Sequence, residues 1–199
     1  MNKKLTMTAL FCILQCCVGV VFAEASAGAG RRVLSVDMGQ PGCGISVTDF
    51  YGGHLESGMP KNASYWTDVP PVHSTLDKFS IDFECQINRE FDEAAQNFGA
   101  QWNEREKIWG LYYEDENDKK ILPPVSRIYQ IKSINAVGFL RTTDQINGDE
   151  AQRVRFYSFC LFHGKAAVCG TGQSMRLEEP KGDYLPAIMR ILRSVSFVE

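Results

Sequence analysis

Histidine is scarce in this chain, and the chemistry that histidine serves is correspondingly hard to find. The three histidines, His54, His73 and His163, lie at no metal-ligand spacing to one another. Cys160-x-x-His163 holds the residue types of a Cys/His pair, but strand alternation would send the two side chains to opposite faces. A Gly-x-Ser-x-Gly elbow is absent. Gly28-x-Gly30 and Gly170-x-Gly172 are too short and wrongly placed to cradle a phosphate or dinucleotide. Asp115-Glu116-Asn117-Asp118 offers calcium-type donors, but the glycine at the sixth loop position and the closing glutamate are missing, so it reads as a solvated acidic turn. Asp82, Glu84 and Glu90 are available for carboxylate catalysis without a pattern that selects them. Cys85 with His73 could form a nucleophilic pair only if Cys85 were unpaired. No cofactor and no metal are implied. Excess positive charge is lacking too: 21 Lys and Arg stand against 24 Asp and Glu, a net charge of −3. That balance disfavours nucleic acid and anionic membrane as partners and leaves room for something basic. There are no internal repeats.

What is present begins at the N-terminus. Lys3 and Lys4 precede an almost wholly apolar run from Leu5 to Phe22, and Val21-Phe22-Ala23 puts small residues where a signal peptidase reads. Residues 1–23 are therefore expected to be a signal peptide, and the only membrane contact expected is through it before cleavage. The competing reading is a retained anchor, since roughly 20 apolar residues suffice to span a bilayer. Residues 24–32 read as a flexible linker and residues 33–199 as a single domain. Asn62-Ala63-Ser64 is a glycosylation sequon that matters only in a eukaryotic host, whereas the short Lys-Lys leader looks bacterial.

Removal of the leader takes three of the seven cysteines and leaves Cys43, Cys85, Cys160 and Cys169. An even number in an exported chain favours disulfides. Arg153 to Phe162 is a dense strand pattern, followed by His163-Gly164-Lys165-Ala166. Gly164 suits the first central position of a type II′ turn, where φ is positive. A two-residue loop then sets His163 opposite Ala166 and Cys160 opposite Cys169, in a non-hydrogen-bonded pair with Cα atoms roughly 4.5 Å apart. Cys160–Cys169 is the expected bridge, with Cys43–Cys85 by elimination. The alternative is a pair of buried free thiols.

Alternation and spacing predict further strands over Val33–Met38, Ile45–Tyr51, Lys78–Ile87, Ile108–Tyr113 and Ser194–Val198, two strands or one bent strand over Ser126–Ile134 and Ala136–Thr142, and an extension of the second hairpin arm over Thr171–Leu177. They predict helices over Arg89–Asn103 and from Asp183 through Leu192, and a charged turn over Glu114–Lys120. The 153–162 strand is apolar on both faces, so it should be central and covered on both sides. The predicted class is α+β: a largely antiparallel sheet with two helices and a closing helix–strand at the C-terminus. His54 to Leu76, rich in Pro, Gly, Ser and Asn, reads as a long loop carrying Met59, Tyr65 and Trp66. Long loops in compact domains are often functional, and Tyr and Trp dominate binding hot spots. Tyr65 and Trp66 are candidate partner anchors with Met59 beside them. Glu114, Asp115, Glu116 and Asp118 are a candidate steering rim. The competing reading folds Tyr65 and Trp66 back onto the core.

Phe159-Cys160-Leu161-Phe162-His163 with Ala167-Val168-Cys169-Gly170, and Leu185-Pro186-Ala187-Ile188 through Ile191-Leu192-Arg193-Ser194-Val195-Ser196-Phe197-Val198, resemble small exported proteins of Gram-negative bacteria associated with type VI secretion immunity. The closing helix and Ser-Val-x-Phe also resemble the end of Mog1/PsbP-like sheet-and-helix domains. The resemblance implies a non-enzymatic periplasmic protein that binds and neutralises a secreted effector by occlusion. A periplasmic hydrolase with dispersed catalytic residues, or an envelope structural or assembly factor, are the alternatives.

Overall fold

The computed structural model describes residues 31–87 and 91–198. The expected signal peptide and all of the linker except Arg31 and Arg32 lie outside the described residues. From Arg31 onward the chain forms one compact unit.

The centre is an antiparallel hairpin of β10 (Val154–His163) and β11 (Ala166–Arg176). Its register pairs His163 with Ala166 and Cys160 with Cys169, as the turn chemistry requires. Gly164 has φ +58°, while Lys165 is not among the positive-φ residues, which is the type II′ pattern. The Cys160–Cys169 bridge is formed with Cα atoms 4.0 Å apart, and Cys43–Cys85 is formed at 5.8 Å. Around this hairpin stand β3 (His54–Met59), β4 (Asn62–Trp66), β5 (Ser80–Ile87), β8 (Ser126–Lys132) and β9 (Val137–Asp144). The seven strands run in the order β3-β4-β5-β11-β10-β9-β8, every pair antiparallel.

One face of this sheet is the main core. Tyr157, Phe159 and Leu161 of β10 join Ile81, Phe83, Leu140 and Val168 there. A second, three-stranded sheet covers it, built from β1 (Val33–Asp37), β2 (Gly44–Thr48) and β12 (Ser196–Val198) in the order β1-β2-β12. Helix α3 (Leu185–Ser194) completes the cover through Ile188, Ile191 and Leu192. Each such fully buried side chain contributes about 1.5–3 kcal/mol. The helix starts where Asp183 accepts the Leu185 N–H at 2.8 Å, and Pro186 sits in its first turn. Cys43 precedes β2 and Cys85 lies on β5, so their disulfide ties the small sheet to the large one.

The opposite face is only partly covered. Helix α1 (Phe91–Asn97) and the hairpin of β6 (Ala100–Asn103) and β7 (Ile108–Leu111) bury Ala94, Ala95, Ala100 and Trp109 against Phe139, Cys160, Phe162 and Cys169. The helix is shorter than its apolar spacing predicts. Gly99 adopts φ +80° and ends it, as a left-handed residue just past a helix does. Trp102 therefore lies in β6, paired with Trp109, rather than on a helix.

Two other segments differ from expectation. The stretch predicted as a loop over 54–76 begins as the β3–β4 hairpin, whose turn passes through Pro60 and Lys61 at φ +71°. Pro and Gly density reads as loop, but His54-Leu55 and Ala63-Ser64-Tyr65 alternate well enough to pair once β5 offers an edge. The charged turn over 114–120 runs into a third helix, α2 (Asp118–Val125). Two prolines in its last turn remove two donors, and none of its residues is buried.

Two sheet edges are closed by side-chain amides. Gln130 on β8 accepts the Trp109 N–H and donates to the Trp109 carbonyl, each at 2.9 Å. Asn135, in the β8–β9 turn, treats Phe197 of β12 in the same way, again at 2.9 Å for both bonds. Each amide occupies the place of a neighbouring peptide group.

Candidate partner-binding face

Alternation and register decide which side chains reach the uncovered half of the outer face. Tyr65 pairs with Ile81 and faces the core, so Trp66 and Ser80 face outward. His54 pairs with Trp66 and Glu56 with Ser64, and Ser64 pairs in turn with Asp82 on the next strand. On the central strands Arg141, Ser158 and Thr171 form one cross-strand row, and Thr143, Phe156 and Gln173 the next. Past the end of α1, where Phe98 and Gly99 touch Ser158 and Arg141, these residues line an open surface on a seven-stranded support.

The His54 and Trp66 rings, on directly paired residues, are stacked with centroids 4.3 Å apart. Phe156 is 42% exposed, an unusual position for a phenylalanine in a central strand. Glu56, Asp82 and Glu84 are exposed carboxylates. Asp82 accepts a hydrogen bond from Ser64 at 2.5 Å, and none of the three has an ion-pair partner among the described residues. One end of the surface is thus acidic, and Arg141 supplies positive charge at the other. Burial pushes the Arg141 guanidinium below its ordinary pKa, partly offset by the charge of Asp118.

The residues singled out from sequence are not gathered into one site. Tyr65 is a correction: its exposure is 0%, and it is a core residue rather than a surface anchor. Its hydroxyl donates to Asp49 at 2.8 Å. Burial raises the pKa of Asp49, but the N–H groups of Gly53 and Tyr51, the Tyr65 hydroxyl and Arg32 outweigh it and hold this carboxylate below the usual range. Trp66 is half-buried on the outer face, and Met59, 66% exposed, stands at the tip of the β3–β4 hairpin. Glu114, Asp115, Glu116 and Asp118 lie before and at the start of α2, which contacts β8 and β9. From β4 to β9 is four strand spacings, roughly 19 Å. Part of that acidic segment is engaged in local structure. Asp115 accepts the N–H groups of Asn117 and Asp118, Asp118 accepts that of Glu114, and Glu116 pairs with Lys119.

No motif marks Phe156, Arg141, Thr171 or Gln173. The Cys160–Cys169 register carries the signal, because stepping along both arms places Ser158 opposite Thr171 on the same face as the disulfide.

Two histidine–carboxylate pairs occur among the described residues. His54 lies 3.5 Å from Asp68 and His73 lies 3.8 Å from Glu179. Asp68 is exposed, and Glu179 is held by the Thr75 N–H and hydroxyl at 2.8 and 2.6 Å. Cys85 is disulfide-bonded, so the Cys85–His73 pair considered from sequence has no thiolate. No group of three or more His, Cys, Asp or Glu residues able to hold a metal occurs among the described residues. The two disulfides point to an oxidising environment outside the cytoplasm. Among the described residues no helix is long and apolar enough to cross a membrane. No family model, no curated protein and no solved structure matches this chain.

Proposed function

We propose that the protein is an exported periplasmic binding protein, an immunity protein that neutralises a secreted antibacterial effector by occlusion. The signal peptide over residues 1–23 belongs to the same proposal. The observation that carries it is the uncovered half of the outer sheet face. There, Trp66 and Phe156 offer aromatic area on a seven-stranded support, and Glu56, Asp82 and Glu84 offer carboxylates without ion-pair partners among the described residues. Aromatic anchors supply interface affinity, and unpaired charge steers encounter and selects a basic partner surface. Occlusion needs no bond chemistry.

The test is purification of the tagged mature chain from its native periplasm, identification of what co-elutes, and titration of the chain against that partner's activity. A stoichiometric secreted hydrolase that is silenced by the chain supports the reading. Phe156→Glu should weaken the complex at least about tenfold, the range of a central interface anchor. A partner that stays fully active when bound, or a complex indifferent to Phe156→Glu and Trp66→Ala, would overturn it.

A further inference from the structure

We propose that Arg141 anchors a carboxylate-binding subsite in the cleft on the outer face of β9, β10 and β11. The cleft is about 470 Å³ and is lined by Arg141, Thr143, Phe156, Ser158, Thr171 and Gln173. Arg141 is half-buried and held from two directions. Its Nε donates to the Thr143 hydroxyl at 3.0 Å. Its guanidinium lies against Gly99, where an added Cβ would come within 1.8 Å of Nη1. The glycine that ends α1 is therefore also the residue that leaves room for this side chain.

The guanidinium is fixed but its hydrogen bonding is incomplete. Among the described residues neither Nη1 nor Nη2 has an acceptor, and no carboxylate lies within ion-pair distance. A partly desolvated arginine with its fork of N–H groups free is suited to bidentate recognition of a carboxylate. The surroundings fit that ligand. Ser158 donates its hydroxyl proton to the Phe98 carbonyl at 2.7 Å, while Thr171 and Gln173 have no side-chain partner among the described residues and can donate. Phe156 supplies an apolar wall at the same place. One cation with Asp118 nearby suits a monoanion better than a dianion. The ligand class is a carboxylate borne on an aromatic or apolar group, either a free small acid or the end of a polypeptide.

This inference is independent of the occlusion reading, because its test uses small acids and no macromolecular partner. The isotopically labelled protein is titrated with N-acetyl-phenylalanine, with its amide, with inorganic phosphate and with a short peptide ending in a free phenylalanine carboxylate, following amide shifts by NMR. Saturable shifts at Ser158, Thr171 and Gln173 with the acid but not the amide are expected. Tighter binding of the peptide assigns the source as polypeptide, and equal binding assigns it as small acid. Arg141→Lys, which keeps the charge but loses the fork, should weaken the acid about tenfold. Gln173→Ala, at an exposed position that leaves the fold intact, should weaken it about threefold. Equal shifts with the amide, tighter binding of phosphate, no saturation at tens of millimolar, or unchanged affinity in both variants would each overturn the assignment.

Discussion

Removing the two disulfides one at a time should have unequal consequences, and the inequality can be worked out from their positions. Cys43 and Cys85 are 42 residues apart, whereas Cys160 and Cys169 are 9 apart. In the chain-entropy model the longer loop contributes about 4 kcal/mol and the shorter about 2.6 kcal/mol. The local figure is an upper bound, because the Gly164–Lys165 turn and the β10–β11 ladder already hold those arms together. All four cysteines are buried, so replacement by alanine adds a comparable packing loss to both pairs. The assay is urea unfolding of Cys43→Ala/Cys85→Ala and Cys160→Ala/Cys169→Ala, followed by tryptophan fluorescence and circular dichroism. Free energies must be compared at zero denaturant, since each unfolded state expands and its m-value rises. The Cys43/Cys85 variant should lose more stability by at least about 1 kcal/mol. If the Cys160/Cys169 variant loses as much or more, packing beneath α1 outweighs loop entropy and the reasoning fails.

Asp49→Asn should cost about 2 kcal/mol at neutral pH, because a buried carboxylate accepting several bonds is replaced by an amide that accepts fewer. The folded-state pKa of Asp49 is depressed, so its contribution is present above the unfolded value of about 3.9 and is lost as pH falls through the folded value. A plot of stability against pH in that acid window should be steeper for the native protein than for the variant, and parallel curves would refute the assignment. Tyr65→Phe should lose about 1 kcal/mol with its bond to Asp49, and Tyr65→Ala about 3–5 kcal/mol, while Trp66→Ala stays within about 1 kcal/mol; thermal melts separate the three. Asn135→Ala leaves the outward N–H of Phe197 without its partner and its C=O with only the Ser196 hydroxyl at 3.5 Å, so concentration-dependent self-association should appear in sedimentation velocity.

The central hairpin is legible in the sequence to the residue. Gly164 specifies one turn type, that turn specifies one register, and the register places Cys160 on Cys169. The closing helix and the α+β class are legible for the same reason, a periodicity backed by a cap. What is not legible depends on distant partners. The β3–β4 hairpin has short arms broken by Gly58 and Pro60, and it becomes sheet only because β5 pairs with it. Trp102 happens to continue the helical spacing that starts at Phe91, which makes that helix read too long, although Gly99 carries the stop. The burial of Tyr65 turns on strand parity: in a loop both neighbouring aromatics can face outward, but in a strand one of Tyr65 and Trp66 must face the core. The face that carries Phe156 and Arg141 can be derived only after β9, β10 and β11 are in register.

The connectivity of the two bridges also bears on how the molecule is made. Among the four described cysteines each is joined to the next along the chain, Cys43 with Cys85 and Cys160 with Cys169. In a polypeptide delivered N-terminus first into an oxidising compartment, Cys43 and Cys85 emerge together while Cys160 and Cys169 are still on the other side. Oxidation in order of arrival then yields the native pairs directly. A nested or interleaved pattern would require the first pair to wait or be reshuffled. Maturation of this chain should therefore need a thiol oxidant but be largely indifferent to loss of a disulfide isomerase.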